Sequence, residues 1–133
     1  MPRSLFVLDT GALMAYAHGS DVIGELLFHA SDHALAVAVP SVCLAEAYSL
    51  LDYDEMPHLR LLRAHDRVNV VPLLVGLDSP DEMPFVGGMA RRAGRLGAGH
   101  ACWVAQTNHA NMYTSQAHEI QAVLGKDWPI VEV

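Results

Sequence analysis

From Ser4 the chain runs through Leu5, Phe6, Val7 and Leu8 without a polar break and stops at Asp9. A strand that is apolar at every position, not at every second one, must be covered on both faces, which is the pattern of a parallel sheet flanked by helices. Leu35 to Val39 is a second such apolar run, and Val68 to Leu73, Asn111 to Thr114 and Pro129 to Val133 read as further short strands. Between them lie helical stretches. Thr10 offers a cap for a first helix that runs to the break at Gly19, and a second covers Val22 to His29. Pro40 and Ser41 suit the first turn of a helix reaching about Leu51. Pro57 to Asp66 reads as a helix with Leu59, Leu62 and one of His58 or His65 at core spacing. Phe85 to Leu96, interrupted in pattern by Gly87 and Gly88, then His100 to His109 and Ala117 to Leu124 complete the set. Pro72 predicts an edge position for the third strand, and the Pro- and acid-rich residues 75–84 predict a loop. This alternation predicts a single α/β domain over residues 1–133, three layers deep, with a mainly parallel central sheet of four to five strands.

Such a domain needs a core, and 52% hydrophobic residues in 133, with a mean hydropathy of +0.22, supply one and exclude a disordered chain. No apolar run reaches the roughly 18 to 20 residues that span a bilayer, and the first residues lack the apolar core of a secretory signal, so a cytoplasmic location without membrane attachment is expected. Cys43 and Cys102 lie in apolar helical segments and read as small core residues. The formal charge of −7 has the wrong sign for holding nucleic acid by bulk electrostatics. Six arginines nevertheless form two clusters, Arg60, Arg63 and Arg67, then Arg91, Arg92 and Arg95. Both have helical spacing, which fits either solvated faces with ion pairs to Asp66 or Glu82, or a phosphate-binding patch. The slight apolar excess fits a buried interface, and a homodimer through the helices around Val42 to Leu51 and Leu59 to Arg63 is expected.

In open parallel sheets the chemistry gathers outside the carboxyl ends of the strands. Asp9 follows the first strand directly, and Glu46 sits in the helix after the second. An ionised carboxylate among Leu8, Leu44 and Ala45 is costly to bury unless a cation or several donors compensate it, so a metal or ligand site at Asp9 and Glu46 is one reading. The other is that Asp9 caps the following helix and Glu46 reaches solvent or an arginine.

The segment Val7-Leu8-Asp9-Thr10-Gly11-Ala12-Leu13 resembles the opening motif of the PIN domain family, and Val39-Pro40-Ser41-Val42-Cys43-Leu44-Ala45-Glu46-Ala47 resembles its second. Gly99-His100-Ala101 and Tyr113-Thr114-Ser115-Gln116 follow in order, so the likeness covers almost the whole chain. The resemblance implies a three-layer PIN-like fold of the VapC branch: toxins of prokaryotic toxin–antitoxin pairs, which are Mg²⁺- or Mn²⁺-dependent endoribonucleases with three or four clustered acids. It also implies an antitoxin-like partner, RNA as substrate if the chain is active, and pairing into homodimers. Asp9 and Glu46 match the family's acidic positions. His100 and Gln116 occupy places where the family usually has Asp.

Those two departures have a chemical consequence. Mg²⁺ prefers hard oxygen ligands, and a nuclease centre needs enough negative charge to hold its ions. Two carboxylates are a thin supply, so the expectation is a divalent ion held weakly by Asp9 and Glu46 or no ion at all, and activity that is weak, altered or lost. A nitrogen ligand at His100 would instead favour a softer metal. His100, placed at a helix start after Gly99, reads either as acid–base group or ligand, or as a neutral filler bonded to Asp9 or Glu46. Thr10, Thr114, Ser115 and Gln116 complete the expected binding set, with Arg91, Arg92 and Arg95 for phosphate. Trp103 and Tyr16 read as core residues or as base-stacking ones. The competing function is a non-catalytic PIN-like module that acts through protein partners.

Overall fold

The computed structural model describes residues 4–133; Met1 to Arg3, the start of the domain expected over 1–133, lie outside the described residues. Five strands, β1 (Ser4–Leu8), β2 (Ala36–Pro40), β3 (Val68–Val71), β4 (Asn111–Thr114) and β5 (Ile130–Glu132), pair in parallel in the order β3-β2-β1-β4-β5. Seven helices intervene: α1 (Thr10–Ala17), α2 (Asp21–His33), α3 (Ser41–Leu50), α4 (Met56–Ala64), α5 (Met83–Ala93), α6 (Leu96–Asn108) and α7 (Ala117–Leu124). The result is a three-layer α/β fold with an all-parallel sheet. Every residue of β2 is buried, as is the Phe6 to Leu8 stretch of β1, which is why these central strands are apolar throughout. Strand β3 lies at one edge and stops at Val71, immediately before the Pro72 that cannot donate to a ladder.

Several boundaries differ from those read in the sequence. Helix α2 continues to His33, where Ala34 takes a left-handed conformation at φ 54° to end it. His58 and His65 are not core residues. Leu59 and Leu62 are buried on α4, whereas the exposed His58 bonds the Ala17 carbonyl through Nδ1 at 2.8 Å. Helix α5 ends at Ala93 with Gly94 at φ 97°, so Leu96 starts α6 rather than finishing α5. His100 is therefore in the second turn of α6, not at its start. Gly97 and Gly99, which fall between the two helices expected over Phe85 to Leu96 and His100 to His109, are instead sites of close approach within α6. A Cβ at Gly99 would stand 2.6 Å from the Ala90 Cα, so the missing side chain lets α6 press against α5.

The strand order reverses at β1. The chain moves outward through β2 and β3 on one side and through β4 and β5 on the other, which leaves a crevice between the carboxyl ends of β1 and β4. Asp9 and the Thr114-Ser115-Gln116 segment emerge there. The amide of Asp9 donates to the Tyr113 carbonyl at 3.3 Å, which ties the two exits together.

Candidate functional site

Asp9, not Thr10, caps α1. Its Oδ1 accepts from the Ala12 amide at 2.9 Å, satisfying one of the free N–H groups of the first turn. Thr10 is the first helical residue, and its hydroxyl is turned across the crevice to donate to Glu46 Oε1 at 2.7 Å. The second oxygen of Glu46 accepts from the Gly97 amide at 3.3 Å. Arg95, the residue before α6, makes no side-chain cap, so a carboxylate from α3 caps α6 from another part of the chain. This contact requires glycine. A Cβ on Gly97 would lie 2.7 Å from the Glu46 Cδ and from the Thr10 Oγ1.

The fourth element at the crevice is α7, with Gln116 before its first residue. The Gln116 side chain is exposed and makes no cap, while its amide donates to Thr114 Oγ1 at 2.9 Å. Glu119, in the first turn of α7, accepts two bonds from Arg95, from Nε at 3.0 Å and Nη2 at 2.7 Å. Thr10, Gly11, Met14, Leu50, Arg95, Ser115, Gln116 and Glu119 line a cleft of about 370 Å³ here. Gly11 is bare because Ser115 occupies the space its side chain would need.

The electrostatics follow from burial. Asp9 is 1% exposed and its Oδ2 has no hydrogen-bond partner. Burial pushes its carboxyl above the usual range, against the pull of the Thr114 hydroxyl, the Ala12 amide and the Arg95 charge. Burial alone would lower the Arg95 guanidinium, but the bonded Glu119 outweighs it, and Asp9 and Glu46 add to the same effect, so Arg95 is held firmly charged. Burial also pushes the Cys102 thiol up to about 12 and Cys43 higher still, so both are inert core thiols.

His100 is fully buried, but it bonds neither carboxylate. Its Nδ1 accepts from the Val42 amide at 3.4 Å, in the first turn of α3, and Nε2 has no partner. Burial lowers its pKa, with Glu82 acting in the opposite direction, so the imidazole is neutral. Among the described residues, the three-member set of ligand atoms within 4.8 Å of one another is Asp52, Asp54 and Glu55, in the segment between α3 and α4; Asp9, Glu46 and His100 do not form such a set.

The arginine clusters divide. Arg91 and Arg92 are exposed on the last turn of α5, and Arg60 and Arg63 are exposed on α4. Neither Asp66 nor Glu82 supplies the expected ion pair: Asp66 contacts His65 at 3.4 Å, and Glu82 accepts from the Trp103 indole and the Leu74 amide. Trp103, half-buried, stacks on Phe85 with ring centroids 4.9 Å apart, and Tyr16 packs against the core. Glu119 is the residue at the crevice that the sequence reading passed over. Its position three residues after Gln116 was the available signal, since that spacing returns to the same helix end.

The donor set does not fit the paired hard cations that the PIN-like fold implies. Such ions need several oxygen ligands and enough negative charge to hold them close together. Here Asp9 and Glu46 are the two matching carboxylates, Glu119 is already paired with a guanidinium, and the remaining two positions carry a neutral buried imidazole and an exposed amide, so the negative charge for two ions is lacking.

The fold is similar to that of several solved structures. PAE2754 from Pyrobaculum aerophilum has this fold, with a TM-score of 0.59 and 17% identity over 98% of this chain and 91% of that one. DNA-bound VapBC from Salmonella typhimurium matches at TM-score 0.62 and 16% identity over 97% of this chain and 98% of that one. VapBC2 from Rickettsia felis, bound to a DNA fragment from their promoter, matches at TM-score 0.60 and 17% identity with the same two coverages. At these identities the likeness is one of fold. No family model matches the sequence, and no curated protein matches it.

Proposed function

We propose that this chain is a VapC-type protein of a toxin–antitoxin-like pair, cytoplasmic, with an antitoxin-like protein as partner and an endoribonuclease activity that is weak or lost. The observation that carries this reading is the use made of the two matching acids. Asp9 and Glu46 act as helix caps at the strand ends, and the other two expected acids are His100 and Gln116. Hydrolysis of RNA by Mg²⁺ or Mn²⁺ at such a site would rest on Asp9 and Glu46, with Thr10, Thr114, Ser115 and Gln116 around them and His100 behind α3.

Binding RNA is disfavoured by the net charge of −7, and the exposed Arg91 and Arg92, like Arg60 and Arg63 on α4, are cations that could contact phosphate. The similarity in fold to VapBC complexes supports the antitoxin-like partner. Pairing of two copies through α3 and α4 is supported by Leu50 and Leu61, exposed by 63% and 68% on those helices. The bond from Arg95 to Glu119 inside the cleft favours the second reading, a non-catalytic module that works through its partner alone.

The test is incubation of the purified protein with mixed-sequence RNA in Mg²⁺ and then Mn²⁺, beside Asp9→Asn. Cleavage at or near background is expected, with any residual activity removed by Asp9→Asn. Multiple-turnover, Mg²⁺-dependent cleavage that disappears in Asp9→Asn would contradict the proposal.

A further inference from the structure

We infer that Arg95 is the resident cation of the strand-end site, taking the electrostatic place of a divalent ion and making the site metal-independent. This rests on the crevice being the functional site, but not on RNA being its substrate. Three carboxylates from separate elements converge there: Asp9 after β1, Glu46 on α3 and Glu119 on α7. Without a cation their mutual repulsion would oppose closing the crevice. The guanidinium enters from the junction of α5 and α6, and its side chain is 33% exposed against 20% for Glu119. Two of its N–H groups share Glu119 Oε2, and its charge acts on Asp9 and Glu46 as well.

The placement is built by the local chain. Gly94 at φ 97° ends α5, and Arg95 follows in an extended conformation at φ −146° and ψ 147° before α6 begins. A continuous helix through this point, as the sequence pattern suggested, would have carried Arg95 onto the face of Arg91 and Arg92. The break separates it from them and sends it toward α7. The backbone carbonyl of Arg95 accepts from the Gly99 amide at 3.0 Å, so the residue is anchored in the first turn of α6 while its side chain reaches out of it. A guanidinium cannot deprotonate in a protein and is weakly hydrated, so it is a permanent occupant where a metal ion would exchange. Its presence also repels a divalent ion from the free oxygen of Asp9.

Thermal melting of the full chain in chelator, in Mg²⁺ and in Mn²⁺ tests this, with wild type, Arg95→Met and Arg95→Met combined with Asp9→Asn. Wild type is expected to melt at the same temperature in all three. Arg95→Met is expected to melt lower in chelator and to recover with divalent ion in a concentration-dependent way, and the double variant is expected to lose that recovery. Recovery that persists in the double variant, or an Arg95→Met protein that does not respond to either ion, overturns the inference. Should Arg95→Met fail to fold, calorimetric titration of wild type with Mn²⁺ decides it alone: no site-dependent binding upholds the inference, and binding lost in Asp9→Asn overturns it. That last result would leave the VapC-type reading to its own RNA assay.

Discussion

Arg95 lies three and four residues after Arg92 and Arg91, about one helical turn of chain, yet it belongs to a physically different region. Arg91 and Arg92 lie on an exposed helix end, where a charge interacts mainly with water and screening salt and contributes little to stability. Arg95, past the glycine that ends α5, is half-buried in a cleft with one carboxylate bonded to it and two more within electrostatic reach. The same side chain is thus a solubilising group in one region and a structural cation in the other. Sequence spacing groups the three together; the backbone break at Gly94 separates them.

The largest expected difference between the regions comes from Arg95→Met. Loss of two charge-assisted bonds and of the only compensating charge at the cleft among the described residues should destabilise the domain by about 2–3 kcal/mol, read from denaturant unfolding. Gly97→Ala should cost about 1–3 kcal/mol, because the new methyl group meets the Glu46 carboxylate and the Thr10 hydroxyl. Gly87→Ala, in α5 with nothing within 4 Å of the added carbon, should instead stabilise by about 0.5–1 kcal/mol. Opposite signs for these two helical glycines would sharpen the contrast between cleft and surface, and equal signs would remove it. Double replacement of Arg91 and Arg92 by Ala should change stability by no more than about 0.5 kcal/mol.

Asp9→Asn is informative through pH. The raised pKa means that the folded state holds the Asp9 proton more tightly than the unfolded chain, whose value is near 3.8. The stabilisation from that proton is complete below the unfolded value and is lost as pH rises through the folded one. Asn keeps the capping oxygen without the charge. The variant should therefore be at least as stable as wild type at neutral pH, with the gap closing toward acid, as thermal melts across that range would record. A gap that widens toward acid would mean that Asp9 is stabilised in its charged form.

Much of the fold was legible because β1 from Leu5 to Leu8 and the whole of β2 carry apolar residues without a polar break and Pro72 marks an edge. Helix ends were less so, since Gly97 and Gly99 carry the local signal of a break while serving a tertiary need, space for Glu46 and for Ala90. At the cleft, Asp9 and Glu46 could be found from their strand ends. The bond between Arg95 and Glu119 spans 24 residues, and that between Gly97 and Glu46 spans 51; neither leaves a periodic trace. His100 shows the converse, for its motif position suggested the carboxylates and its burial instead delivers it to the Val42 amide.

The most direct measurement of the central claim is paramagnetic broadening of amide signals in the wild-type protein as Mn²⁺ is added to millimolar concentration. With Arg95 as the standing cation, the amides of Ala12 and Gly97, which bond Asp9 and Glu46, keep their intensity relative to the rest of the chain. Selective loss of those two signals at low Mn²⁺, absent in Asp9→Asn, would show a divalent ion in the cleft and contradict the account.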